Sequence, residues 1–153
     1  MRTEPDIAVA VVEDDAGTRQ SLERILSSTP GFHCAGTFQS CEDALAALPE
    51  LDPDVVLMDI NLPGINGIEG VRRLTAQDPE AKVIMLTVYQ DDEKIFRSIC
   101  AGALGYLLKR TPKEALLEAI REVNNGGSPM NAGIARRVIQ LFKETAAPRA
   151  AHT

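Results

Sequence analysis

Three acids stand in a row at Glu13-Asp14-Asp15, directly after the apolar pair Val11-Val12, and a fourth, Asp59, closes the apolar run Val55-Val56-Leu57-Met58. Two further apolar runs end in a hydroxyl, Thr87, and an ammonium, Lys109. Singly, each is ordinary: an acid after a strand is most often a loop residue or helix cap, and a threonine there reflects β-propensity. Gathered at one rim they would do more. Crowded carboxylates repel one another and favour a cation. An all-oxygen donor set selects a hard divalent ion, Mg²⁺ first, with Mn²⁺ as the alternative. A carboxylate is also a nucleophile towards phosphorus and gives an acyl phosphate. Phosphoryl transfer needs positioning and neutralisation of the equatorial oxygens, which Mg²⁺, Lys109 and the Thr87 hydroxyl could supply. The same residues would equally make a plain salt-bridged rim, with Lys109 offsetting the excess acid.

The elements that must position these groups alternate regularly. Strand candidates, short and aliphatic, lie at 7–12, 32–38, 54–58, 82–87 and 104–108; three are continuous apolar runs, the pattern of parallel strands covered on both faces. Between them the spacing is helical: Leu22, Ile25 and Leu26; Ala44, Leu45 and Leu48; Ile68, Val71 and Leu74; Ile95, Phe96, Ile99 and Ala103; Leu116, Ala119, Ile120 and Val123. Ser40 is placed to cap the second helix, which is expected to stop near Pro49. Asn66-Gly67 opens the third, Thr111-Pro112-Lys113-Glu114 reads as a capping box for the fifth, and Asn125-Gly126-Gly127 closes it. Five βα units predict an α/β fold with a doubly wound parallel sheet and right-handed crossovers. In such sheets functional groups collect at the carboxyl ends of the strands, where the strand order reverses. A sixth amphipathic helix is expected over 128–143, with Asn131 as its cap, Ile134, Val138, Leu141 and Phe142 apolar, and Arg136 and Arg137 on the polar side. The predicted organisation is a domain at 1–126, an amphipathic linker helix at 127–144 and a disordered tail at 145–153.

Composition narrows the classes. Among 153 residues, Lys+Arg number 16 against Asp+Glu 22, a net charge of -6, which argues against direct nucleic-acid binding by these residues. The longest wholly apolar run, Ile7–Val12, is far below the roughly 20 residues needed to cross a bilayer, so no membrane partner is expected. Cys34, Cys41 and Cys100 are odd in number and without CxxC spacing, which fits reduced thiols and a cytoplasmic location.

With these residues in place, a resemblance appears. Val11-Val12-Glu13-Asp14-Asp15, Val55-Val56-Leu57-Met58-Asp59-Ile60-Asn61-Leu62-Pro63-Gly64-Ile65-Asn66-Gly67, Val83-Ile84-Met85-Leu86-Thr87 and Gly102-Ala103-Leu104-Gly105-Tyr106-Leu107-Leu108-Lys109 resemble the receiver domain of bacterial two-component response regulators. The likeness runs from residue 6 to about 126. It implies a flavodoxin-like sheet of strand order 2-1-3-4-5. It also implies that Asp59 is the phosphoacceptor, charged by a phosphohistidine of a sensor histidine kinase. By the same likeness Asp14 ligates Mg²⁺ directly, Glu13 mainly through water, and Asn61 through its backbone carbonyl beside Asp59. Asn61 and Tyr89 occupy positions that tune dephosphorylation, Thr87 and Lys109 bind phosphoryl oxygens, and Tyr106 is the aromatic switch; its alternative is an amphipathic rim aromatic. Asp15 falls outside the acidic pair as a loop or capping residue. Kinase choice is expected to rest on surface residues of the first helix such as Arg19, Gln20 and Leu22.

One departure from the receiver pattern points further: Arg110 follows Lys109 where many receivers have proline. This, with Gly126-Gly127-Ser128-Pro129, is similar to the NarL/FixJ (LuxR-type) group, in which 128–142 would lead to a helix-turn-helix domain that these 153 residues do not contain. The implied output is transcription through such a domain; the alternative is a stand-alone receiver acting by protein contacts or as a phosphate sink. A haloacid-dehalogenase-like phosphatase would want a second acid at Asn61, and a flavodoxin-like cofactor binder would want a phosphate-cradling loop where three acids stand. The sixth helix either packs back on the domain or mediates a homodimer.

Overall fold

The computed structural model describes residues 6–151, with side chains through Glu144. Strands β1 (Ile7–Val12), β2 (Phe32–Phe38), β3 (Val55–Met58), β4 (Val83–Thr87) and β5 (Gly105–Leu108) alternate with helices α1 (Ala16–Ser28), α2 (Cys41–Leu51), α3 (Gly67–Gln77), α4 (Asp92–Ala101) and α5 (Lys113–Asn124); α6 (Ala132–Ala151) follows. All strand pairings are parallel, in the order β2-β1-β3-β4-β5, the flavodoxin-like sheet the sequence implies. The order reverses between β1 and β3, so the loops after these two strands diverge and leave a crevice between them.

Successive strand residues face opposite layers, and both layers are apolar. Val9, Val11, Val55, Leu57, Ile84, Leu86 and Leu107 pack against α1 and α5 through Leu22, Leu26, Leu116 and Ile120. Ala10, Val12, Val56, Met58, Val83, Met85, Tyr106 and Leu108 pack on the other side against α2, α3 and α4. Burial on both faces explains the continuous apolar runs. Ile134 of α6 belongs to this second layer, so the sixth helix packs back on the domain.

Several local expectations change. Helix α2 is capped by Ser40, which accepts from the Asp43 N–H as predicted, but it runs through Pro49 to Leu51. A proline in the last turn removes only one hydrogen bond, and Asp52 then closes the helix at φ 45, donating its N–H to the Leu48 carbonyl. The capping box at 111–114 does not form. Pro112 takes the cap position without a side-chain bond, and the Thr111 hydroxyl donates to the Leu108 carbonyl instead. Helix α6 starts at Ala132 and continues to Ala151, through most of the stretch expected to be a disordered tail. The alanines at 146, 147, 150 and 151 favour that continuation, and Pro148 among them opposes it. Residues 152–153 of that expected tail lie outside the described residues. Leu22 is buried in the core, which removes it from the candidate surface determinants. Among the described residues, no helix is long and apolar enough to cross a membrane.

All three cysteines are free. Burial pushes the Cys41 thiol up to about 12 and raises that of Cys34, while Cys100 is exposed. Reaction with an aromatic disulfide at mild alkaline pH should therefore titrate Cys100 first and Cys34 slowly, with Cys41 reacting only on unfolding. Fast reaction of all three in the folded protein would contradict this packing.

Candidate functional site

Register builds the site. Val12 pairs with Met58, so Glu13 and Asp59 follow side by side; Thr87 pairs with Leu108, so Lys109 emerges next to the end of β4. Main-chain bonds carry the pairing past the strands: Asp59 donates its N–H to the Val12 carbonyl at 3.1 Å, and Lys109 to the Thr87 carbonyl at 2.9 Å. Four predicted residues therefore meet at one rim. One carboxylate oxygen each from Glu13, Asp14 and Asp59 lies within 4.8 Å of the others. Glu13 is 2% and Asp59 5% exposed, whereas Asp14 faces solvent.

Lys109 is the counter-charge. Its Nζ lies 2.6 Å from Glu13 Oε1 and 2.9 Å from Asp59 Oδ2. Burial raises the Glu13 carboxyl above its ordinary range, more than the hydrogen bond from Lys109 lowers it. Burial pulls the Lys109 ammonium down, but its bonds to Glu13 and Asp59 outweigh this and raise it overall. The remaining oxygens are held by main chain: Asp59 Oδ1 accepts from the Ile60 N–H at 2.7 Å and Glu13 Oε2 from the Asp15 N–H at 3.1 Å. Asp15 itself is a cap, its Oδ2 accepting from the Thr18 N–H and hydroxyl, as the sequence allowed.

Thr87 is fully buried and its hydroxyl has no hydrogen-bond partner. An unpaired buried hydroxyl at the edge of a carboxylate cluster is a costly arrangement and a donor ready for an incoming oxygen. Tyr106 is not a rim aromatic. It is fully buried, turned inward, and its hydroxyl donates to the Tyr89 carbonyl at 2.8 Å; burial raises its phenol well above the ordinary range. The Tyr89 ring is covered by the Lys94 ammonium, 4.7 Å from its centroid. Asn61 is exposed on the loop after Asp59.

The oxygen-only set and the orphaned Thr87 hydroxyl fit a hard divalent cation together with a phosphoryl group. The acidic cluster thus suits Mg²⁺ binding.

Three supporting residues escape sequence reasoning. Arg19, a presumed kinase determinant, donates through Nη1 to the carbonyls of Glu13 at 2.9 Å and Asp14 at 3.2 Å, holding the acidic loop against α1. Gly67, read only as a helix opener, lets α3 approach Asp59: a Cβ there would sit 1.9 Å from the Asp59 carbonyl oxygen. A glycine in the first turn of a helix, where alanine propagates better, was the available signal. Asn131 does not cap α6 with its side chain; Oδ1 accepts from the Leu108 N–H and Nδ2 donates to the Thr111 hydroxyl.

Residues 9–121 match the response regulator receiver domain family. The chain is 38% identical over 132 residues to the response regulator GacA of Pseudomonas aeruginosa, covering 86% of this chain and 62% of that protein. It is 32% identical over 140 residues to the transcriptional regulatory protein DegU of Brevibacillus brevis, covering 92% and 59% respectively. The chain thus spans about three fifths of the length of these relatives. In structure it is similar to a two-component response regulator of the LuxR family from Aurantimonas sp. SI85-9A1, with a TM-score of 0.83, 27% identity, and coverage of 90% of this chain and 99% of that one. A second similar structure is the response regulator ChrA of a heme-sensing two-component system, with a TM-score of 0.72, 28% identity, and coverage of 90% and 66%.

Proposed function

The chain belongs to the response regulator receiver domain family of two-component systems, and from that premise we propose that it takes a phosphoryl group onto Asp59 from a sensor histidine kinase phosphohistidine. The observation that carries this reading is the meeting of Glu13, Asp14, Asp59, Lys109 and an unpaired Thr87 hydroxyl at one rim. A carboxylate oxygen of Asp59 attacks phosphorus, the phosphorus–nitrogen bond breaks, and the imidazole leaves with the electron pair. Lys109, already between Glu13 and Asp59, faces the growing negative charge, and the Thr87 hydroxyl donates to another phosphoryl oxygen.

Mg²⁺, or Mn²⁺ in its place, would be held by Asp14, Asp59 and the Asn61 main-chain carbonyl, with Glu13 beside them, and would neutralise charge on the transferring group. Movement of Thr87 towards the phosphoryl group is read by Tyr106 through the Tyr89 carbonyl on the loop between them. Asn61 and Tyr89, at the positions that tune attack of water in this family, would set the lifetime of the acyl phosphate. Relatives such as DegU are transcriptional regulators, and control of transcription is the output proposed here. Incubation with acetyl phosphate and Mg²⁺ tests the reading: the intact mass should rise by one phosphoryl group, and no rise would overturn it.

The metal has its own signature. Glu13 is raised by burial, so it is protonated in folded and unfolded chains alike well below its ordinary value. As pH climbs through about 4.5 and above, ionising it lowers the stability of the metal-free fold. Mg²⁺ binds the ionised site of the folded chain only, so its stabilising effect should grow across the same window. Melting curves against pH, with and without Mg²⁺, should diverge upwards from that point. An Mg²⁺ effect left intact in Asp14→Asn or Asp59→Asn would place the ion elsewhere.

A further inference from the structure

The open edge of β5 is closed by the chain's own C-terminal segment. The N–H groups of Tyr106 and Leu108, two residues apart and facing away from β4, donate to the Pro129 carbonyl at 3.0 Å and to Asn131 Oδ1 at 2.8 Å. Tyr106 and Met130 form a parallel bridge, and a Cβ on Gly105 would meet the Pro129 carbonyl oxygen at 2.8 Å, so glycine there admits the segment. Asn131 also works on the far side of Lys109. Its Nδ2 donates at 3.2 Å to the Thr111 hydroxyl, which in turn donates to the Leu108 carbonyl at 2.6 Å. One side chain therefore ties down the residue before Lys109 and the residue two after it. Asn131 lies ten residues beyond the last position that matches the receiver family, 121.

We propose that Asn131 is a positioning residue for Lys109: by holding Leu108 and Thr111 it fixes the main chain from which Lys109 reaches Glu13 and Asp59. This rests on the phosphoacceptor reading above and adds to it a dependence on the segment that begins α6. The Leu108 N–H is a buried edge amide that would otherwise be unpaired, so the chain gains by keeping Asn131 in place. Lys109 is reached only through a flexible stem, and its ammonium must lie within hydrogen-bond distance of a phosphoryl oxygen to matter. Any drift of Leu108–Thr111 is passed directly to it. The linkage is reciprocal: a phosphoryl group that fixes Lys109 also strengthens the hold on Asn131, and so on the first turn of α6, whose Ala135 N–H bonds to the Asn131 carbonyl at 2.9 Å. Arg137, in the second turn of α6, donates to the Gln90 carbonyl, so the segment from Asn131 to Arg137 holds main chain on the loop after β4 and at the end of β5.

The test is a double-mutant cycle on the rate of phosphoryl uptake from acetyl phosphate at saturating Mg²⁺. Asn131→Ala removes two neutral hydrogen bonds and should slow uptake about threefold to tenfold, since only part of their free energy goes into positioning. In a Lys109→Ala background the same substitution should change the rate by less than about twofold, because the group it positions is gone. Asn131→Asp, which keeps an acceptor for the Leu108 N–H but loses the donor to the Thr111 hydroxyl, should restore only part of the rate. A merely structural asparagine would lower thermal stability equally in both backgrounds and slow uptake by the same factor in each, and that result would overturn the proposal. So would an unchanged rate in Asn131→Ala. Should Asn131→Ala not fold, Asn131→Asp and the exchange rate of the Leu108 amide with and without beryllofluoride carry the test. The anion should slow that exchange in the wild type, and no slowing would overturn the proposal. A wild type that takes up no phosphoryl group overturns the phosphoacceptor reading itself, whereas wild-type uptake equalled by Asn131→Ala overturns only this inference.

Discussion

Asp59→Asn is expected to reduce phosphoryl uptake from acetyl phosphate to background while leaving the fold intact. The amide is nearly the same shape, and its oxygen can still accept from the Ile60 N–H that holds Asp59 Oδ1 at 2.7 Å. What it loses is the nucleophilic carboxylate, for which no neighbour substitutes. Glu13 is held by Lys109 and by the Asp15 N–H, and Asp14 lies at the exposed edge of the cluster. Stability should move by less than about 1 kcal/mol, because one of three crowded carboxylates becomes neutral while Lys109 keeps Glu13. Lys109→Ala should behave differently: uptake persists but slows by about 100-fold, the usual loss for one preorganised donor to developing charge. Intact-mass measurement over time separates the two. A full phosphoryl gain on Asp59→Asn would move the acceptor to another residue and remove the central assignment made above.

The largest stability effect should come from Gly67→Ala. In an ordinary helix this change is favourable by about 1 kcal/mol. Here the added Cβ would lie 1.9 Å from the carbonyl oxygen of Asp59, 2.7 Å from its carbonyl carbon and 2.9 Å from the Ile60 Cα. Every one of these is backbone, and the Gly67 N–H is itself bonded to the Ile60 carbonyl at 2.8 Å, so neither side can yield cheaply. A loss of about 3 kcal/mol is expected, read as a lower urea midpoint. Phosphoryl uptake should fall with it, since the displaced segment carries Asp59. Gly17→Ala is the control. Its Cβ would meet only a side-chain oxygen of Asp15 at 3.5 Å, an ordinary contact on an exposed helical turn. It should be neutral or stabilising by up to about 1 kcal/mol. Equal destabilisation by both would mean that helix propensity, not the approach of α3 to Asp59, governs position 67.

Much of this protein is legible one residue at a time. The five strands fall within one residue of the expected limits; three of them are continuously apolar because parallel strands buried on both faces must be, whereas β2, with His33 and Thr37, is a half-buried edge strand. The site residues Glu13, Asp59, Thr87 and Lys109 follow from a related rule: each is the first polar group after an apolar run, and Asp14 comes directly after Glu13. Errors gather where a local motif competed with tertiary partners. Thr111 looked like a cap by spacing, but its hydroxyl finds a carbonyl at 2.6 Å on Leu108. Asn131 looked like a cap for α6, but the unpaired N–H at the edge of β5 claims its side chain. Leu22 fits two roles by sequence, on the apolar stripe with Ile25 and Leu26 and among the surface determinants, and the sheet decides for the first.

The sequence alone determined which groups exist for the chemistry and at which strand ends they stand, because hydrophobic periodicity and polar punctuation are local properties of the chain. Only the tertiary structure decided which of those ends are neighbours. Strand order and register are set by packing of whole layers, and they place Glu13 beside Asp59 and Thr87 beside Leu108. The roles of Gly67, Arg19 and Asn131 are tertiary for the same reason: each acts on a residue whose proximity comes from folding, across a distance in sequence that no local pattern records. In Asn131 the reach is longest, from the start of α6 back to the main chain beside Lys109.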